Sequence, residues 1–404
     1  MVLLGITSDD ARAIRAVFRD RALKLMSEHP LIDSHVDLPY VMRALSKNPV
    51  ETVSAIGGSF PGHVDVPRMK AGKLGGVFMS CWIPCHPGDD FLKPCDDVRD
   101  ALEQIDLIQL LMKESDFQYA RSSADIRDAF KKGKFATLIG VEGGHMLGNS
   151  LSVLRVWAQL GVRYLTLTHT NHNVFASSAG SGDPLSPVHP GNGLSELGKE
   201  LIKEMNRLGI MIDLSHVSDE TMHQAIELTK APVIFSHSNA RGECDHPRNV
   251  PDDVLALIGS GEGKNHGVVQ CVFYPAFTDK VKPTLERVAD HIEYLAEKVG
   301  KAHVGIASDF DGMQHGVQGL EDASKYPDLI SEILARGWTD EEVIGLMGGN
   351  IMRVMDEVDE VQRQLSGERA SAAVYEKRTD VPSDWPDYLP DAVREYLEDK
   401  NGST

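Results

Sequence analysis

Eight short apolar runs, each followed by a stretch with helical periodicity or a polar loop, constrain this chain more than any other feature. They are LIDSHVD (31–37), GVFMSCW (76–82), ATLIGVE (136–142), YLTLTH (164–169), IMIDLSH (210–216), PVIFSH (232–237), GVVQCVFY (267–274) and HVGIASDFD (303–311). Between them lie amphipathic stretches such as SLSVLRVWAQLG, LSELGKELIKEMNRLG, SDETMHQAIELTK and TLERVADHIEYLAEKVG, bounded by Gly or polar residues. Near-continuous apolar strands with intervening helices imply a parallel sheet covered on both faces, and eight of them can close into a (β/α)8 barrel. An open doubly wound sheet is the alternative. The run ends favour the barrel: seven finish in His, Asp, Glu or Tyr and the eighth in Cys81–Trp82. In such barrels the C-terminal strand ends and their loops carry the active site.

A length of 404 residues suits two or three domains or one large barrel, and alone it does not choose between them. The expected organisation is a helical extension over 1–30, a barrel over 31–366 and a tail over 367–404, neither extension being large enough for a second domain. The stretch SSAGSGDPLSPVHPGNG (177–193) is expected to be a long loop after a strand end, where a loop can cover a site. With 41 Lys and Arg against 60 Asp and Glu, the net charge of −19 repels phosphate backbones and anionic headgroups, which excludes nucleic acid and argues against a membrane surface. MVLLGI is too short for a signal h-region, and no apolar run approaches spanning length, so a cytoplasmic protein is expected. The five cysteines suit a reducing compartment. Cys81, Cys85 and Cys95 lack the paired spacing of a zinc site and are given no role.

Chemistry gathers at the strand ends. His35 and Asp37 form an HxD pair that period-2 geometry would place on one face, and an imidazole with a carboxylate suits a divalent metal. Glu142 ends an apolar strand and precedes two glycines that permit close approach of backbone or ligand. His216 and His237 end two similar runs at matching places. Together these five residues suffice for two metals if the carboxylate bridges them. Asp309 ends the last strand, where a carboxylate could take a proton from an activated water and return it to a leaving amine; Asp311 is its rival, both facing inward if the strand continues. His169 offers a donor to a developing oxyanion, with His172 the weaker candidate. Arg248 could bind a substrate carboxylate bidentately, and Tyr274 could supply an aromatic wall or a hydroxyl.

The segments LIDSHVDLPY, GVEGGHML, LRVWAQLGVRYLTLTHTNHN, LGIMIDLSHVSDETM, APVIFSHSNARGECDHPRNVPDD, VGIASDFDG and MGGNIMRV occur in this order across most of residues 31–356. In them the chain resembles the membrane (renal) dipeptidase family of binuclear zinc peptidases. The resemblance implies a (β/α)8 fold in which His35, Asp37 and Glu142 bind one zinc and Glu142, His216 and His237 the other. It further implies Asp309 as acid/base, His169 as the group that binds the tetrahedral intermediate, Arg248 as the clamp for the C-terminal carboxylate and Tyr274 as a substrate contact. Manganese or iron is compatible with the donors at one position. Asn171 stands where a cysteine of the secreted relatives would be sought, which puts their disulfides in doubt. The chain looks more like intracellular bacterial or fungal members, some of which cleave Cys–Gly bonds in glutathione-derived conjugates, including those of gliotoxin-type pathways.

The expected function is therefore hydrolysis of dipeptides, with Cys–Gly and S-conjugated Cys–Gly among them, by a metal-bridging hydroxide. The partner is a small peptide substrate; a homodimer is compatible with the sequence but not specified by it. Two rivals stand beside this reading. One is an amidohydrolase-type lactonase or deacetylase, which commonly carries HxH where this chain has HxD; the other is an inactive barrel that binds a ligand.

Overall fold

The computed structural model describes residues 8–46, 50–86, 91, 96–182, 185–377 and 390–401. Among these residues, nine strands form one parallel sheet: β1 (Leu31–Val36), β2 (Leu74–Cys81), β3 (Phe117–Tyr119), β4 (Phe135–Glu142), β5 (Val162–Thr166), β6 (Met211–Asp213), β7 (Ile234–Phe235), β8 (Val268–Val272) and β9 (Val304–Ala307). Eight follow one another around the sheet in the order β1-β2-β4-β5-β6-β7-β8-β9, and these eight correspond to the eight apolar runs. The ninth, β3, pairs only with the start of β4 and was not anticipated; three residues with one fully buried side chain carry too little pattern to be read.

The sheet nearly closes on itself. Val36 bridges Phe310 in parallel, Asp37 N donates to Phe310 O at 2.9 Å, and Asp309 N donates to His35 O at 3.1 Å. The structure is a (β/α)8 barrel whose seam lies between β1 and the turn after β9.

Strand alternation divides the core in two. Val77, Ile139, Leu165, Ile212, Phe235 and Val269 join a large cluster with helix residues such as Ile105, Leu154, Leu201, Met222, Val254 and Ile292. Their neighbours Phe78, Leu138, Tyr164, Met211, Ile234 and Val268 join a smaller cluster with Ile32 and helix Asn350–Gln364. That helix lies at the strand N-termini, where Asn350 Nδ2 donates to Lys301 O and Val304 O at 2.8 Å each. The opposite, C-terminal end is left for chemistry.

Helix ends set where each strand begins. Ser150, Ser195, Ser218 and Thr284 accept from first-turn N–H groups. Gly161 and Gly209 end their helices in left-handed backbone (φ 103° and 70°), one or two residues before β5 and β6 start. The N-terminal helix Ser8–Glu28 packs on helix Tyr326–Ala335, and Arg21 pairs with Asp340 at 2.7 Å.

Candidate metal centre and active site

The strands are shorter than the apolar runs, and the difference places the site. β1 stops at Val36, so Asp37 caps the next helix (φ −93°, ψ 22°) instead of continuing the strand. The period-2 reason for pairing His35 with Asp37 therefore does not hold. The strand-to-helix turn brings His35 Nε2 to 3.4 Å from Asp37 Oδ2. Likewise β6 ends at Asp213 and β9 at Ala307, and His216, Asp309 and Asp311 sit beyond them in left-handed backbone at φ 68°, 61° and 70°. Non-glycine residues rarely adopt that conformation, and where they do it is commonly at functional sites.

Glu142, the last residue of β4, lies at the centre. Its Oε2 faces His35 Nε2 at 3.6 Å. Its Oε1 faces His216 Nε2 at 2.9 Å and His237 Nε2 at 3.2 Å. One carboxylate thus presents an oxygen to each of two donor groups. The turn after Glu142 needs glycine: Gly143 has φ 124°, and a Cβ there would stand 2.4 Å from the His145 ring. His169 packs at a tilt of 35° against His216 with ring centroids 4.2 Å apart, and its Nε2 lies 3.9 Å from Glu142 Oε1. Asp309 joins His35 and Asp37 in a cluster whose ligand atoms all lie within 4.8 Å of one another.

Asp311 and His172 do not join the site. Asp311 Oδ1 accepts from His63 N at 2.6 Å, so the rival to Asp309 is turned towards the 60–63 segment. The expectation that both aspartates face inward fails because the strand has already ended. His172 bonds within its loop, to Ser186 O at 3.1 Å and Ser178 N at 2.8 Å. Loop 177–193 is anchored to the site's backbone, since Ala179 N donates to His216 O at 2.8 Å and Ser178 Oγ donates to His169 O. Cys85, given no role from sequence, has its thiol 3.9 Å from Nδ1 of both His145 and His169. Cys95 lies outside the described residues.

The donor set fits divalent cations. His35 Nε2 and Asp37 Oδ1 are buried without a hydrogen-bond partner. Burial holds His216 and His237 well below the usual histidine range, with Arg248 adding to the effect on both, so both are neutral and able to ligate. Burial also opposes charge on His35, but Glu142 and Asp37 outweigh it and raise it well above that range. Burial pushes Glu142 up to about 7 and, with Asp37 and Glu142 nearby, raises Asp309 well above the carboxylate range. Carboxylates and imidazoles this crowded and this dry require shared positive charge, from protons or from metal.

Arg248 forms no ion pair with a carboxylate among the described residues. It is 1% exposed, its Nη1 reaches Ser238 Oγ at 3.4 Å, and its Nη2 reaches His237 O at 3.2 Å. Its Nε has no partner, and the guanidinium lies 5.1 Å from the Phe277 ring centroid. Burial pulls its pKa down to about 10, against the opposing pull of Glu142 and Asp309. Tyr274 stacks on the same Phe277 at 4.3 Å.

Two buried aspartates behind the site escaped the sequence reading. Asp33 accepts from His35 N at 3.1 Å, Ser308 N at 3.0 Å and Ser308 Oγ at 2.5 Å, and also from Tyr326 Oη. Asp213 accepts from Ser215 N at 3.1 Å, Ser236 N at 2.8 Å, Ser236 Oγ at 2.6 Å and Thr166 Oγ1 at 2.5 Å. The signal was present: an Asp inside an otherwise apolar run, directly before Ser34–His35 in LIDSH and separated by one residue from Ser215–His216 in IDLSH.

A parallel barrel carrying such a site defines a metal-dependent hydrolase. The profile of the membrane dipeptidase family (peptidase family M19) matches residues 19–369. The chain is 40% identical over 383 residues to dipeptidase verJ of Clonostachys rogersoniana, covering 93% of this chain and 95% of that one. It is 41% identical over 356 residues to dipeptidase aclJ of Aspergillus oryzae, covering 85% and 81%. Among solved structures, a metallopeptidase from Rhodobacter sphaeroides liganded with a phosphinate mimic of L-Ala-D-Ala superposes with a TM-score of 0.72 at 27% identity, over 82% of this chain and 99% of that one. The chain belongs to the membrane dipeptidase family, and it is a metal-dependent dipeptidase. No helix among the described residues is long and apolar enough to cross a membrane.

Proposed function

We propose that this dipeptidase uses two divalent cations, one held by His35, Asp37 and Glu142 and the other by Glu142, His216 and His237. The supporting observation is the split of Glu142, with Oε2 towards His35 and Oε1 towards His216 and His237. Mixed imidazole and carboxylate donors suit zinc, with manganese or iron tolerated at one position. When bound, the cations supply a water acidic enough to act at neutral pH and a Lewis acid for the scissile carbonyl.

The remaining roles belong to the chain. Asp309, kept protonatable by burial beside Asp37 and Glu142, moves a proton between the attacking water and the leaving amine. Neutral His169, at the edge of the cluster, donates to the developing oxyanion. Arg248 binds the substrate's terminal carboxylate, and Tyr274 with Phe277 forms the wall beside it. A site with one carboxylate clamp at this depth favours dipeptides over longer chains. The narrower proposal is Cys–Gly and S-conjugated Cys–Gly, supported by the resemblance to fungal members described above. An intracellular location is proposed with it, supported by the free state of Cys81, Cys85, Cys244 and Cys271.

The test is hydrolysis of Cys–Gly and an S-substituted Cys–Gly against their C-terminal amides, by protein stripped of metal and then reloaded with zinc. Cleavage of the free acids that returns with zinc and collapses for the amides is expected. No cleavage of either free acid by protein shown to hold two metals sinks the Cys–Gly proposal, and free acids and amides cleaved alike sink the role of Arg248.

A further inference from the structure

We propose that Asp213 and Ser236 are positioning residues that fix which nitrogen of His237 is free to hold metal, an inference that rests on the two-metal reading. The argument is a proton count. Asp213 and Ser236 are fully buried. The Asp213 carboxylate receives four donors: the backbone N–H groups of Ser215 (3.1 Å) and Ser236 (2.8 Å) on Oδ1, and the hydroxyls of Ser236 (2.6 Å) and Thr166 (2.5 Å) on Oδ2. A carboxylate surrounded in this way only accepts. The single proton of the Ser236 hydroxyl is therefore committed to Asp213. The same hydroxyl lies 2.8 Å from His237 Nδ1 and has only a lone pair left to offer it. His237 must carry its proton on Nδ1, which leaves the lone pair of Nε2 facing Glu142 Oε1 at 3.2 Å.

The other histidine on that side is fixed differently. His216 Nδ1 is buried with no partner. Its ring is placed through the backbone, at φ 68°, with its carbonyl accepting from Ala179 N at 2.8 Å and Thr168 Oγ1 at 3.1 Å. Removing the Asp213–Ser236 chain should therefore act on the cation held by His237 and spare the one held by His35 and Asp37.

Two substitutions separate the steps. Ser236→Ala deletes the acceptor for the Nδ1 proton. Asp213→Asn does more: the two backbone N–H groups claim its amide oxygen, so its NH2 faces the hydroxyls. The Ser236 proton must then turn to His237 Nδ1, which forces the imidazole proton onto Nε2, where the metal belongs.

The experiment loads each protein with zinc, equilibrates it against graded chelator and measures retained zinc, with circular dichroism of the stripped proteins to check the fold. The wild type should hold two zincs. Ser236→Ala should release one of them with an affinity reduced roughly 10- to 100-fold, the other unchanged, and Asp213→Asn should lose at least as much. Ser236→Thr, which keeps the hydroxyl, should stay near the wild type, and turnover of Ser236→Ala should recover at saturating zinc. Wild-type release profiles for Ser236→Ala overturn the inference, as does equal weakening of both zincs. Should Asp213→Asn not fold, Ser236→Ala decides alone, because it removes one oxygen. A wild type that binds no zinc refutes the two-metal reading itself, an outcome distinct from variants that match a zinc-binding wild type.

Discussion

Arg248→Met should abolish the enzyme's preference for a free C-terminus while changing the stability of the fold little. The free enzyme buries this guanidinium at 1% exposure with no carboxylate within 4.0 Å among the described residues, and its two contacts, at 3.2 and 3.4 Å, are long and to neutral oxygens. A substrate carboxylate would give it the charge-assisted pair that the protein withholds. Losing one partner of such a buried pair costs about 2–5 kcal/mol. At about 1.4 kcal/mol per factor of ten, the middle of that range is roughly 10²- to 10³-fold in kcat/KM. The assay compares a dipeptide with its C-terminal amide on wild type and variant. Wild type should favour the acid by that factor, and the variant should treat the two alike to within about threefold. Because burial opposes this charge and the more distant Glu142 and Asp309 partly offset that, its removal should change Tm little. A variant that still prefers the acid 100-fold, or that loses stability sharply, would refute the clamp and point to a structural cation.

Other outcomes follow from the same geometry. Asp309→Asn should lower kcat by about 10²- to 10⁴-fold with zinc content retained, whereas Asp311→Asn should stay within about fivefold of wild type; equal losses would show that the two aspartates were wrongly separated. At Gly312 a Cβ would stand 2.3 Å from Asp37 Oδ2 and 2.4 Å from Asp309 Oδ1, so Gly312→Ala should cost about 100-fold in activity by displacing both carboxylates; near-normal turnover would contradict the placement. His291 accepts from Ala240 N at 3.3 Å and donates to Thr278 O at 2.9 Å, and burial pulls it from 6.5 to about 4. Its neutral form is the folded form, so its contribution is complete above about pH 6.5 and is lost as pH falls towards 4, at most roughly 3 kcal/mol. Urea unfolding of wild type and His291→Gln at pH 7 and 4.5 should show a smaller loss in the variant; identical losses would remove His291 from the account.

The barrel was legible because its signal is repetitive: eight apolar runs alternating with helical or polar stretches, with polar residues gathered at their ends. Glu142 was legible for a similar reason, an acidic residue closing a fully apolar strand before two glycines. The choice between Asp309 and Asp311 was not, because it depends on left-handed turns at 309 and 311 that no local pattern announces. The HxD pair is plain in the sequence, but strand alternation does not join its members, since Asp37 belongs to a helix cap. What brings it to His35 is a tertiary seam, with Asp37 N held by Phe310 O from the far end of the barrel. Asp33 and Asp213 were passed over because a buried acid is visible in sequence only as a blemish in an apolar run. The donors to Asp33 come from positions up to 293 residues away, the farthest being Tyr326 at the start of a helix.

The most direct test is the zinc-edge anomalous scattering of crystals of the zinc-loaded protein. Two peaks should flank Glu142, one about 2.0–2.2 Å from His35, Asp37 and Glu142 Oε2, the other at the same distance from Glu142 Oε1, His216 and His237. A single peak, or a second one bound through His169 with His237 unligated, would contradict the account.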